Sequence, residues 1–136
     1  MTKYILFVLL LSACDRAPNC WGLVGEYKLV YTRLSGNCID IPNVGTFLPA
    51  HYFPKPYDTN CTNEWKNPND QCIAVLKYGC DYPEDLGRWE WSIVFQYDTY
   101  AENVTGDATA RWFDVQGVLK ETCTYSIEGE RIDDEN

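Results

Sequence analysis

The residues with the most chemistry to offer are seven cysteines. They stand at Cys14, Cys20, Cys38, Cys61, Cys72, Cys80 and Cys123. A zinc site needs closely spaced thiolate or imidazole ligands. No Cys-x-x-Cys occurs in the chain, and His51 is its one histidine. We therefore expect neither a metal site nor a cofactor, and the cysteines must be explained in another way.

The start of the chain has the pattern of an export signal. Lys3 supplies a positive charge, and an almost unbroken apolar run from Tyr4 to Ala13 follows it. That run is too short to span a bilayer, which needs about 20 residues. A charged start, an apolar core and small residues before a cleavage point are typical of a secretory signal peptide.

The segment Leu11-Ser12-Ala13-Cys14 resembles the lipobox of bacterial lipoproteins. The resemblance implies cleavage before Cys14, a diacylglyceryl group on its thiol and an acyl chain such as palmitate on the new amino end. It sets apart a signal peptide at 1–13 and a lipidated cysteine with its tether at 14–24. The remaining residues, 25–136, have the length of a single domain, which the patterns described below predict to be β. The protein would face the periplasm or the cell surface, and the choice between inner and outer membrane stays open.

Six cysteines remain once Cys14 is assigned to lipid. An even number in an exported protein predicts three disulfides. Six cysteines allow 15 pairings, which the sequence does not distinguish. One pair is excluded by distance. If the residues after Cys72 form a strand, Cys72 and Cys80 lie roughly 26 Å apart, well beyond disulfide reach.

Signs of catalysis are few, and we expect a protein that is not an enzyme. The chain has no Gly-x-Ser-x-Gly, no phosphate-binding glycine loop and no His-Glu-x-x-His. A hydrolase built on two carboxylates is a remote alternative. Its most suggestive pair, Glu90 and Asp98, would lie roughly 26 Å apart on one strand, too far for glycoside hydrolysis. Oxygen-rich loops at residues 67–70 and 81–85 lack the EF-hand spacing and are more typical of turns.

Charge limits the possible partners. The chain carries a net charge of −9, which becomes −10 when Lys3 leaves with the signal peptide. Phosphate backbones and anionic lipid surfaces attract basic proteins, so nucleic acid is excluded as a partner. Membrane attachment would depend on the acyl chains of Cys14, and two such chains are enough for stable anchoring.

The element around which the domain is organised is the stretch at residues 88–98. Every second side chain in it is large and apolar, and the intervening ones are mostly polar. This period of two predicts a strand with one buried face. The apolar set is Trp89, Trp91, Ile93, Phe95 and Tyr97.

Further short alternating runs, at 25–34, 72–78, 107–115 and 118–127, are separated by turn signals. They predict an all-β fold stapled by disulfides, either a small antiparallel, lipocalin-like barrel or a two-sheet sandwich. Glu128-Gly129 reads as one more turn, before a last short strand. The run from Gly25 to Cys38, together with Cys123-Thr124-Tyr125, resembles small cysteine-containing β lipoproteins whose function is mostly unknown.

Residues 39–71 differ from the rest. They contain five of the seven prolines and no long periodic run, so we predict a long loop held by disulfides. Within it, Thr46-Phe47-Leu48 suits a short strand. Aromatic side chains on such a loop suit a contact surface, although they equally suit a cap on the core. The candidate contact residues are His51, Tyr52, Phe53, Tyr57 and Trp65.

Two functions follow from these patterns. The first is a non-catalytic envelope lipoprotein that binds an envelope protein or polymer through the disulfide-held aromatic loop. The alternative is a lipocalin-like carrier that holds a small apolar ligand inside the barrel. The high aromatic content, with five tryptophans and ten tyrosines, is compatible with either a filled core or a ligand cavity.

Overall fold

The fold is seen in a computed structural model that describes residues 19–38, 44–48, 61–68, 71–82 and 87–132. These residues form seven strands and no helix. The strands are β1 (Gly25–Ser35), β2 (Val44–Leu48), β3 (Cys61–Lys66), β4 (Ile73–Asp81), β5 (Arg88–Tyr97), β6 (Asn103–Phe113) and β7 (Leu119–Arg131). The prediction of an all-β fold is confirmed.

The seven strands pair in one antiparallel sheet of order β2-β1-β7-β6-β5-β4-β3. This corrects the expected architecture. The sheet is not closed into a barrel, because β2 and β3 are its two edges and no pairing between described residues joins them. It is not divided into a two-sheet sandwich either, since every neighbouring pair is hydrogen-bonded.

One face of the sheet, here called the inner face, carries the core. The alternation predicted for residues 88–98 is confirmed, because Ile93, Phe95 and Tyr97 of β5 are buried on this face. Fully buried residues from other strands join them. They include Tyr27, Leu29, Leu76, Val104, Tyr125 and Ile127.

Strand β6 lies in the middle of the sheet and presents small residues to the inner face. Gly106, Ala108 and Ala110 stand there, between the larger side chains of β5 and β7. Trp91 of β5 and Tyr125 of β7 therefore meet above β6, with ring centroids 5.6 Å apart. The small middle strand allows the sheet to curve and its aromatic side chains to interdigitate.

The strand directions give the sheet two ends. Strands β1, β4 and β6 begin at the Trp21 end, which includes residues 19–24 and the turn at 98–102. Strand β5 begins at the opposite end, the Trp89 end, where Trp89 lies beside Cys80 and Trp112.

Several boundaries differ from the predictions, among them the start of β6, which lies at Asn103 and not at 107. The predicted loop at 39–71 contains two strands, β2 and β3. Strand β2 includes the short strand predicted at 46–48, whereas β3 was missed because its sequence is short and mostly polar. Residues 20–24 belong to the domain, since Cys20 and Leu23 are buried. No turn occurs at Gly129. Strand β7 continues through it, and its missing side chain leaves room for Leu29.

The side chain of Asn67 joins three parts of the Trp21 end. Its Oδ1 accepts a hydrogen bond from the backbone N–H of Leu23 at 2.6 Å. Its Nδ2 donates to the carbonyl of Ile73 at 3.1 Å and to the hydroxyl of Tyr97 at 2.5 Å.

We expect Asn67→Ala to lower the free energy of unfolding by about 2–3 kcal/mol, because three hydrogen bonds are lost and buried groups are left unpaired. Urea denaturation followed by tryptophan fluorescence measures this loss. The matched control is Asn63→Ala, which truncates an exposed asparagine on the neighbouring strand β3. Equal stability of the two variants would contradict the structural role of Asn67.

Candidate functional site

Most of the predicted contact residues fall outside the described part of the chain. These are His51, Tyr52, Phe53 and Tyr57. Cys14, the predicted lipidation site, also lies outside the described residues. Trp65 is described, and it lies half-buried on β3 with its ring 6.4 Å from that of Phe95. The structure therefore places Trp65 at the margin of the core.

All six remaining cysteines are paired, which confirms the prediction of three disulfides. The pairs are Cys20–Cys72, Cys38–Cys123 and Cys61–Cys80. The exclusion of a Cys72–Cys80 bond is also confirmed. Cys61 and Cys80 are direct partners across β3 and β4, with Cα atoms 4.1 Å apart, so this bond ties an edge strand to the sheet.

The outer face of the sheet carries a polar depression of about 460 Å³ near the Trp89 end. Strands β3 to β6 each contribute side chains to it. Its polar lining residues are Thr62, Asn63, Glu64, Lys77, Arg88, Glu90, Ser92, Thr109 and Arg111. We call it the Arg111 depression. Its β3 wall follows directly after Cys61, so the Cys61–Cys80 disulfide fixes one side of it.

Arg88 organises the floor of this depression. Its Nε donates to Glu90 at 2.9 Å, its Nη1 to Asp81 at 3.2 Å and its Nη2 to Thr62 at 3.2 Å. The hydrogen bond to Glu90 is the main cause that raises the pKa of the guanidinium. Gly79 leaves the space that the guanidinium occupies, since a Cβ at that position would collide with it.

Arg111 stands opposite Glu90 on the neighbouring strand and is exposed. The carboxylate of Glu90 is already bonded to Arg88. Among the residues that the structure describes, Arg111 has neither a hydrogen-bond partner nor an ion-pair partner. With the exposed Lys77 on β4, it gives the depression positive charge on a strongly acidic protein. The arrangement suits an anionic group such as a carboxylate.

A row of aromatic rings lies on the inner face behind the depression. Trp91 stacks on Tyr78, with ring centroids 6.2 Å apart and an interplanar angle of 11°. It meets Tyr125 on its other side. Burial raises the pKa of Tyr31 to about 12. Burial also raises the pKa of Tyr78, with a smaller electrostatic contribution from Tyr31.

The carboxylates weighed for hydrolysis are engaged separately. Glu90 pairs with Arg88, whereas Asp98 accepts hydrogen bonds from the backbone N–H groups of Glu102 and Asn103 at the Trp21 end. Burial opposes the ionised form of Asp98, but these bonds and one from the Asn103 side chain outweigh it and lower its pKa.

The oxygen-rich loops show no ligand cluster in the part of the chain that the structure describes. The side chain of Asn67 is hydrogen-bonded to Leu23, Ile73 and Tyr97. Asn69, Asp70, Glu84 and Asp85 lie outside the described residues.

The sequence reasoning missed Arg111 as a site residue. The alternating run at 107–115 predicted only that Arg111 lies on a strand. The signal that would have found it is the strand register, which sets Arg111 beside a glutamate already bonded to another arginine.

These features define an all-β, disulfide-bonded domain with a polar site on one face of an open sheet. No family model, curated protein or solved structure with which the chain was compared matches it. Within the described ranges, no helix combines the length and apolar character needed to cross a membrane.

Proposed function

We propose that this protein is a non-catalytic lipoprotein of the bacterial envelope that binds an envelope protein or polymer through the Arg111 depression. The lipobox-like segment supports the anchor, and the paired cysteines suit an oxidising compartment. The observation that carries the binding role is Arg111 itself, an exposed cation without a partner among the described residues, beside a fixed Arg88–Glu90 pair.

The depression is preorganised, which favours binding. Arg88 bonds to three strands' side chains, and the edge strand is covalently held by Cys61–Cys80. Because these side chains are already ordered in the folded protein, little conformational entropy is lost when a partner binds.

Site-specific photocrosslinking in intact cells tests this proposal. A photoreactive residue at Thr109, inside the depression, should crosslink to an envelope component. The same residue at Ser126 is the control, because Ser126 lies on the outer face of β7 and does not line this depression. Crosslinking at Thr109 should name the partner, whereas Ser126 should give only the background.

Charge reversal gives the quantitative prediction. Arg111→Glu should reduce crosslinking at Thr109 at least about tenfold, as expected for loss of a charged anchor in an interface. Lys28→Glu makes the same change of charge on an exposed residue of β1, away from the depression, and should leave crosslinking unchanged. Equal losses in both variants would show a general effect of charge and would contradict the proposed site.

A further inference from the structure

The Trp21 end carries an exposed apolar surface. Trp21 is 57% exposed, Tyr100 is 59% exposed and Val24 is 49% exposed. The rings of Trp21 and Tyr100 meet edge to face, with centroids 5.6 Å apart and an interplanar angle of 87°. Two large aromatic side chains thus remain in contact with each other and largely open to the surroundings.

This surface is held in place from below. Cys20 is bonded to Cys72, and the backbone N–H of Trp21 donates to the carbonyl of Thr99 at 2.9 Å. Leu23 is completely buried between these contacts and the sheet. The exposure of Trp21 is therefore a fixed feature of the domain and does not arise from a loose chain terminus.

Tyr100 is fixed equally well. The turn that carries it is closed by Asp98, which accepts hydrogen bonds from the backbone N–H groups of Glu102 and Asn103 at 2.8 and 3.0 Å. The buried hydroxyl of Tyr27 donates to the carbonyl of Ala101 at 2.6 Å. The two exposed rings consequently project from a rigid end of the sheet.

The covalent chain limits how far this end can lie from the proposed lipid anchor. Five residues lie between Cys14 and Cys20. The six Cα–Cα steps that join them span at most about 22 Å in a fully extended chain. Trp21 follows Cys20 directly. If Cys14 is anchored in a bilayer, the aromatic surface lies within a short distance of the headgroups.

We propose that Trp21, Val24 and Tyr100 form a membrane-contact surface, seated in the interfacial layer of the bilayer that holds Cys14. This inference rests on the lipid anchor of the proposed function. Tryptophan and tyrosine favour the membrane interface, where the ring is partly buried and its polar atom stays hydrated. The charges nearby are mixed, since Asp98 and Glu102 are accompanied by Arg131, whose guanidinium donates to the carbonyl of Val24 at 2.8 Å. A surface without an excess of positive charge suits zwitterionic lipid.

The contact would orient the whole domain. With the Trp21 end on the bilayer, the opposite end of the sheet points away from it. The eight-residue step along β5 from Trp89 to Tyr97 spans roughly 26 Å. The Arg111 depression would then face the space beyond the membrane surface, open to a partner.

Fluorescence quenching by brominated lipid tests the inference on the full lipidated protein. The protein is extracted from membranes and reconstituted into phosphatidylcholine vesicles that carry bromine on the acyl chains near the headgroup. We expect quenching of part of the tryptophan emission in the wild type. Trp21→Phe should remove most of that quenching, because the other tryptophans lie along the inner face and at the opposite end.

Trp112→Phe is the matched control, since it removes a half-buried tryptophan of the Trp89 end. In this variant the brominated lipid should still quench the emission of Trp21. Equal quenching in the wild type and Trp21→Phe, or no quenching in either, would overturn the membrane-contact surface. Both variants keep an aromatic ring, and their far-ultraviolet circular dichroism should match that of the wild type.

The intact mass of the same extracted protein separates this inference from the proposed function. A mass without a diacylglyceryl group would overturn the anchor, and the membrane-contact surface would fall with it. A lipidated protein that shows no quenching through Trp21 would overturn the contact surface alone.

Discussion

Replacing Cys38 and Cys123 together by alanine should lower the free energy of unfolding by about 4.5 kcal/mol at 25 °C on the chain-entropy estimate for a long closed loop. The bond joins residues 85 positions apart, the largest separation of the three disulfides. It fixes the end of β1 to the middle of β7, where Cys123 is fully buried. Domains of this size are stable by only roughly 5–15 kcal/mol, so the loss is a large part of the total.

Urea denaturation of the oxidised protein measures this loss. The matched control is the double alanine variant of Cys61 and Cys80, whose bond spans 19 positions. The same estimate gives about 3 kcal/mol for that bond. A larger loss for the Cys61–Cys80 variant would contradict the view that closure of the long loop dominates.

Trp91→Ala should lower the free energy of unfolding by about 3 kcal/mol, at the low end of the range for tryptophan truncation because the ring is only half-buried. Trp91 is stacked between Tyr78 and Tyr125, above the small residues of β6. Its removal leaves a gap that no neighbouring side chain of β6 can fill, since Ala110 is its direct partner there.

This variant also separates the binding module from the lipocalin-like carrier. If Trp91 lined a ligand cavity, its truncation would leave the domain folded and remove the ligand. Trp21→Ala is the control for loss of a tryptophan at an exposed site, and we expect it to cost no more than about 1 kcal/mol, the value of an exposed edge-to-face pair. Equal stability of the Trp91→Ala variant and the wild type would contradict the packing role and favour the carrier.

The parts of the fold that could be predicted are those with a local signal. The period of two in β5 is strong because five large apolar side chains alternate with mostly polar ones, and the structure confirms it. The number of disulfides followed from counting the six cysteines that remain when Cys14 is set aside. Both signals depend on residues close together in the sequence or on composition alone.

The missed features depend on contacts between distant residues. Strand β3 reads Cys-Thr-Asn-Glu-Trp-Lys, which is mostly polar, and it is a strand because it pairs with β4 along its whole length. Gly129 resembles a turn residue, yet it lies within β7. A glycine stands there because the side chain of Leu29 occupies the space that a Cβ would need. The open sheet could not be predicted either. Alternation shows which side chains share a face of the sheet, but it does not show whether the two edge strands pair with each other.

The candidate site was harder to predict than the fold. Arg111 is exceptional only after strand register shows that Glu90 is already engaged by Arg88. Asn67 looked like part of an oxygen-rich turn, whereas its side chain bonds to Leu23, Ile73 and Tyr97, up to 44 residues away. Such roles arise from tertiary placement, which residue type and spacing do not encode locally.

The order of the cysteines has a consequence for how the domain matures. Numbered along the chain, the six disulfide cysteines of the domain pair first with fourth, second with sixth, and third with fifth. No native bond joins consecutive cysteines, so an oxidase acting on them as they emerge would first create wrong links. Correct pairing then requires thiol–disulfide exchange, a process that takes seconds to hours depending on the oxidant and on the presence of an isomerase. The yield of correctly paired protein should accordingly follow the supply of disulfide isomerase more closely than the supply of oxidant.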